Sequence, residues 1–263
     1  MSFKALVIGD IHGCVSSVAK IIDSVSLTDI DALIFVGDIG PNWLSYDLVD
    51  SWLPDKKDHC WRTKRYEETL LELLEMLNLK VGGSRPIYYV HGNHDYSQLE
   101  LIFADLLATS PTLKDSKLKL INLHGQKHEQ KGIVLAGKGG APMAVAMPSG
   151  FNDNIYWDSS AWKLLDDADV FVSHCPPQGI LDGKNYGSKM FDQALYRVAS
   201  KPKLVIVGHI HESAGVAFED SIVFLNAGAL GNPSPRLLQN IVSVDKTGPS
   251  ISIKELFLSE NNV

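Results

Sequence analysis

Residues 3–12 read Phe-Lys-Ala-Leu-Val-Ile-Gly-Asp-Ile-His. Apart from Lys4, the chain is apolar up to Gly9. A short run that is apolar on both faces reads as a strand buried inside a sheet covered on both sides. Two metal-friendly side chains, Asp10 and His12, follow at once. In extended backbone, residues i and i+2 point to the same side, so this carboxylate and imidazole can converge on one cation. The same grammar recurs at Asp31–Asp38 (DALIFVGD), Ile87–Asp95 (IYYVHGNHD), Asp169–His174 (DVFVSH) and Lys203–His211 (KLVIVGHIH). These strand ends deliver Asp38, Asn93, His174, His209 and His211.

Helical patterns lie between the strands, at Cys14–Ser24, Tyr66–Leu79, Tyr96–Ala108 and Ser188–Ala199. This βαβα alternation predicts parallel strands with right-handed crossovers. The last third changes character. Ala214–Leu225 reads as a hairpin turning at Glu219-Asp220, and Ile241–Val244 and Ile251–Leu258 read as further strands. The expected body is two sheets packed face to face with helices outside, one domain over residues 1–263. Three stretches fit neither pattern: Gly40–Lys64, Gly137–Trp162 and Pro176–Gly187. Each begins just after an expected strand end, and loops this long in a compact domain are usually functional or disordered. Their tryptophans argue for order. The first, with Trp43, Trp52 and Trp61, is expected to border the substrate, and an exposed Trp there offers a homodimer contact.

At 45% hydrophobic and 21% charged residues over 263 positions, the composition is that of a folded globule and excludes disorder. The three cysteines, Cys14, Cys60 and Cys175, form no CxxC pair. That excludes a disulfide scaffold and a structural zinc ribbon, and fits a cytoplasmic protein. No apolar run is long enough for a membrane span or a signal peptide. The net charge of −7 argues against broad attachment to nucleic acid, which relies on Lys and Arg neutralising phosphates. Gly132–Lys138 has the spacing of a phosphate-binding loop, but Gly139 stands where Ser or Thr is needed and Ile133–Ala136 reads as a strand.

In open α/β sheets the functional crevice lies beyond the carboxyl ends of the strands, where all these side chains fall. Nitrogen and oxygen donors without thiolate suit Mn, Fe, Zn, Co or Ni. Seven candidates, Asp10, His12, Asp38, Asn93, His174, His209 and His211, are too many for one ion. They fit two ions sharing a carboxylate, about 3.5–4 Å apart. His59, His124 and His128 lie outside the grammar and read as surface residues. His91 reads as structural, and Cys175 as a passive buried thiol.

The order Gly-Asp-x-His, Gly-Asp, Gly-Asn-His-Asp, a single His and Gly-His-x-His resembles the calcineurin-like metallophosphoesterase superfamily over Asp10 to His211. His174-Cys-Pro-Pro and Gly208-His-Ile-His are most similar to its small, single-domain phosphodiesterase-like branch. Asn226-Ala-Gly-Ala resembles the turn that follows the last His motif. The resemblance implies a four-layer α/β/β/α sandwich of two mixed sheets. It implies that Asp10, His12, Asp38 and His211 hold one divalent ion and that Asp38, Asn93, His174 and His209 hold a second, Mn²⁺ foremost. The expected reaction is hydrolysis of a small phosphomono- or phosphodiester by a hydroxide bridging the ions. The resemblance also makes His94 a catalytic group rather than a ligand; a basic alkoxide leaving phosphorus needs a proton, which this imidazole is expected to donate, with the adjacent Asp95 carboxylate expected to orient its ring. Two departures count against a protein phosphatase. The second motif continues Ile39-Gly40-Pro41-Asn42, without the acidic residue and Arg of those enzymes, and Gly-Asn-His ends in Asp rather than Glu. A non-catalytic scaffold on the same fold and a nuclease are the alternatives.

Overall fold

The computed structural model describes residues 2–41, 56–142, 149–231, 236, 238–245 and 247–255. The first half runs β1 (Phe3–Ile8), α1 (Val15–Asp23), β2 (Ala32–Phe35), α2 (Lys56–Lys80), β3 (Pro86–Tyr89), α3 (Leu99–Thr109) and β4 (Lys119–Asn122). Next come β5 (Lys127–Gln130), β6 (Ile133–Lys138), the two-residue strands β7 (Ala141–Pro142) and β8 (Gly150–Phe151), α4 (Asp153–Tyr156), α5 (Ser159–Leu165), β9 (Val170–Ser173), α6 (Lys189–Arg197) and β10 (Leu204–Val207). β11 (Gly215–Glu219), β12 (Ile222–Asn226), β13 (Leu238–Val244) and β14 (Pro249–Glu255) complete the order.

Two six-stranded mixed sheets form, ordered β14-β13-β1-β2-β3-β4 and β11-β12-β10-β9-β6-β5. In the first, β1, β2, β3 and β4 are parallel, β13 pairs antiparallel to β1, and β14 pairs antiparallel to β13. In the second, β12, β10, β9 and β6 are parallel, flanked by antiparallel β11 and β5. The strand period of two explains why these strands are apolar throughout. Ala5, Val7, Ala32 and Ile34 face the other sheet, meeting Leu135, Val170, Val172, Leu204 and Ile206. Their neighbours Leu6, Ile8, Leu33 and Phe35 face the opposite way, onto Val18, Ile21, Leu70 and Leu74 of α1 and α2. On the far side, Phe171 and Val205 pack against Ala161, Leu165, Phe191 and Ala194 of α5 and α6. Three apolar layers thus join helices, sheet, sheet and helices. Each fully buried large side chain contributes about 1.5–3 kcal/mol. Trp157 adds a flat stack on Phe191, with centroids 4.4 Å apart and planes 3° apart.

Several local expectations need correction. Lys56–Lys64, within the expected irregular stretch Gly40–Lys64, is the first part of α2. It is too polar to show an apolar stripe. Residues 42–55, with Trp43 and Trp52, lie outside the described residues, as does the side chain of Trp61, so the expected substrate and dimer contacts fall outside them too. Gly137–Trp162 is not irregular throughout: it contains α4 and the start of α5. Asp158 caps α5, its carboxylate accepting from the backbone N–H groups of Ser160 and Ala161. Among the described residues, no helix is long and apolar enough to cross a membrane.

Candidate metal centre

The candidate donors follow β1, β2, β3, β9 and β10, whose carboxyl ends meet where the two sheets pack. Backbone conformation turns these side chains together. His12, Asp38 and His209 have φ of 47°, 46° and 66°. Left-handed backbone costs a non-glycine residue about 1–2 kcal/mol and persists where surrounding structure over-determines it, often at functional sites. The glycines before Asn93 and His209 make room. A Cβ on Gly92 would lie 2.0 Å from Asp38 Oδ1, and one on Gly208 2.1 Å from Asp10 Oδ1.

All seven expected donors come together. His12 Nε2 and His211 Nε2 are 3.1 Å apart, and His211 Nε2 is 3.0 Å from Asp10 Oδ2. His174 Nε2 is 3.0 Å from Asn93 Oδ1, and its ring centroid is 5.1 Å from that of His209. Asp38 Oδ2 lies 3.5 Å from His174 Nε2 and 3.8 Å from His12 Nε2. Two buried triads, Asp10–His12–His211 and Asp10–Asp38–His174, have donor atoms within 4.8 Å of one another. Asp10 belongs to both triads, and Asp38 lies between an imidazole of each. Two carboxylates therefore span the centre where the sequence singled out Asp38.

Backbone contacts aim the donors. His174 Nδ1 is 2.8 Å from the Val36 carbonyl, so Nδ1 carries the proton and Nε2 faces the site. Asp38 Oδ1 accepts from the His94 N–H at 2.8 Å and Asp10 Oδ2 from the His209 N–H at 2.9 Å. Asn226, found in the sequence only by resemblance, braces the last loop. It donates to the Ile210 carbonyl at 2.9 Å and accepts from Gly228 N–H, while Gly228 O accepts from Asp10 N–H.

The electrostatics fit cations. Burial would raise Asp38, yet the His174 imidazole beside it holds it well below the usual carboxylate range. Burial alone would lower His174, but Asp38 and Asp10 push it up to about 9. Burial, helped by His174, lowers His209 to about 4. Asp10 Oδ1 is buried without a hydrogen-bond partner, a costly state for a carboxylate oxygen unless positive charge meets it. Converging imidazoles and carboxylates of this kind suit a divalent ion with N/O preference.

His94 belongs to the cluster: its ring stands edge-on to that of His12, centroids 5.5 Å apart. Asp95 has a different set of partners from the expected one. Its fully buried carboxylate accepts from the N–H groups of Ile39, Gly40 and Gly92 at 2.8–3.0 Å and from Tyr66 Oη at 2.9 Å. It ties the Asp38 loop to the Asn93 loop and both to α2, which makes it a positioning residue. Tyr66 was missed because its partner lies 29 residues away. Tyr66→Phe should lower stability by about 1.5–3 kcal/mol by denaturant titration and weaken metal binding by about 10–100-fold. Unchanged values for both would remove the clamp.

His124 is also corrected. It is half-buried, with its ring 4.4 Å from that of His91 and Nδ1 accepting from Gly139 N–H at 3.0 Å. His128 is partly buried, beside Tyr88, and the side chain of His59 lies outside the described ones. Cys175 is buried, with its thiol pushed up by burial.

Among known proteins, UPF0046 protein K07C11.7 of Caenorhabditis elegans is 22% identical over 218 residues, 81% of this chain and 68% of that one. The crystal structure of TT1561 of Thermus thermophilus has the same fold with a TM-score of 0.61 and 16% identity, covering 96% of this chain and 99% of that one. The calcineurin-like phosphoesterase model matches residues 3–213, so the loops with the candidate donors and the strands that carry them lie within the match, and the chain belongs to that family.

Proposed function

We propose that the chain is a dinuclear metal-dependent phosphoesterase acting on a small phosphomono- or phosphodiester in the cytoplasm. The observation that carries this reading is the pair of buried carboxylates, Asp10 and Asp38, set between imidazoles from both sheets. Asp10, His12, Asp38 and His211 would hold one divalent ion, and Asp38, Asn93, His174 and His209 the other, with Mn²⁺ the expected metal. When bound, such ions supply hydroxide near neutral pH and neutralise charge growing on phosphoryl oxygens. Asn93 contributes a neutral oxygen, which keeps the site more cationic than a third carboxylate would. His94 gives its proton to the departing alkoxide. Asp95 holds the Asp38 and Asn93 loops in register. The chain's acidic balance disfavours a nucleic-acid substrate.

The test is hydrolysis of phosphomonoesters, phosphodiesters and cyclic nucleotides by Mn²⁺-loaded protein, alongside elemental analysis. The expected result is two ions per chain and turnover of one ester class, lost on chelation and restored by Mn²⁺. Two bound ions with no turnover of any ester would favour a non-catalytic scaffold.

A further inference from the structure

The Gly132–Lys138 segment, which is not a phosphate-binding loop, ends on a lysine with no assigned role. Lys138 closes β6 in register with Ser173, directly before His174, and the Lys138 carbonyl accepts the His174 N–H. Neighbouring strands run about 4.8 Å apart, so Lys138 stands on the rim of the metal centre. Its side chain leaves on the helix side of the sheet and lies over the Tyr156 ring, with Nζ 4.3 Å from the centroid. No carboxylate among the described residues pairs with it, and the acidic group that acts on it, Asp158, is exposed.

His124 completes a second side of this corner. Its Nδ1 accepts from Gly139 N–H, and Tyr156 Oη is 3.4 Å away, so the ring proton sits on Nε2. Burial, then the Lys138 charge, holds His124 down at about 4, and it is neutral at physiological pH. The His91 ring lies against that of His124, centroids 4.4 Å apart and planes tilted by 38°, and His91 stands two residues before Asn93, so this row of rings leads from the lysine toward the candidate donors. Lys138 and His124 Nε2 therefore offer hydrogen-bond donors and positive charge, and the carboxylates that act on them, Asp158 on the lysine and Glu100 on the imidazole, are both exposed.

We propose that Lys138 and His124 form an anion subsite that selects phosphoesters whose leaving group carries its own carboxylate or phosphate. This rests on the phosphoesterase reading. A lone lysine charge half-withdrawn from water, in a chain of net charge −7, offers a specific anion contact rather than a general basic surface.

The test compares 4-carboxyphenyl phosphate with phenyl phosphate, the latter lacking the second anion. For Lys138→Met, the ratio of kcat/KM for the carboxylated over the plain ester should fall about tenfold from that of the unsubstituted chain, the worth of one charged hydrogen bond. Lys138→Arg should keep most of the preference. Metal content and melting temperature report whether Lys138 only packs on Tyr156. An unchanged ratio in Lys138→Met, with the unsubstituted chain active on both esters, would overturn the subsite and leave the phosphoesterase reading standing. If the panel shows turnover of diesters alone, the methyl diesters of the same two phenols replace the monoesters and the same ratio decides; if the unsubstituted chain hydrolyses no ester in the panel, both readings fall.

Discussion

Asp38→Ala should lower kcat/KM by about 10³-fold or more and leave fewer than two ions per chain. Asp38 is buried, with Oδ2 between His174 Nε2 and His12 Nε2 and Oδ1 holding the His94 amide. Alanine removes a donor from both sides of the centre and frees the loop that carries Asn93 and His94. Asp10→Ala is the comparison, because Asp10 belongs to both triads. If Asp38→Ala keeps two full ions by elemental analysis while Asp10→Ala loses both, the bridging carboxylate is Asp10. A melting curve on each metal-free variant separates a lost ligand from a lost fold.

His94→Ala should slow hydrolysis of alkyl phosphate esters by about 10²–10⁴-fold while affecting nitrophenyl esters far less. An alkoxide leaving phosphorus is basic and needs a proton, whereas nitrophenolate departs without one. An imidazole is the side chain best able to carry that proton near neutral pH. The His94 ring is buried against His12, and its amide is anchored on Asp38, so it is held at the centre. Metal content should stay near that of the unsubstituted chain, because the ring is not among the seven candidate donors. An equal loss on both ester types with metals bound would make His94 a positioning residue.

The donors were legible because each sits directly behind an apolar run ended by Gly or Ser, and both features are local. Asp10, Asp38 and Asn93 could be placed from their own strands. α1 and α6 were legible from their apolar spacing, and the structure begins them at Val15 and Lys189. What was not legible is contact across the chain. Asp95 was read with its sequence neighbour His94, but its carboxylate is taken by amides 55 and 56 residues earlier and by Tyr66. His124 looked like a surface residue because nothing nearby in sequence shows that β4 and β6 bring it beside His91 and Gly139. β4 and β5 were missed because they are short, partly polar edge strands. The sharing of Asp10 between triads follows from how two sheets meet, which no single strand reveals.

The two sheets supply different candidate donors. Asp10, His12, Asp38 and Asn93 come from the first, and His174, His209 and His211 from the second. A nascent chain therefore cannot assemble the centre until residue 211 and the strands behind it have folded and the sheets have docked. A partly folded state with one sheet in place would have half the donors and little hold on an ion. Metal binding thus reports on the docked state, and free metal stabilises that state in proportion to the logarithm of its concentration over Kd. For this chain, the divalent ion supply in the cell would set how firmly the two halves stay together as well as whether the site is loaded.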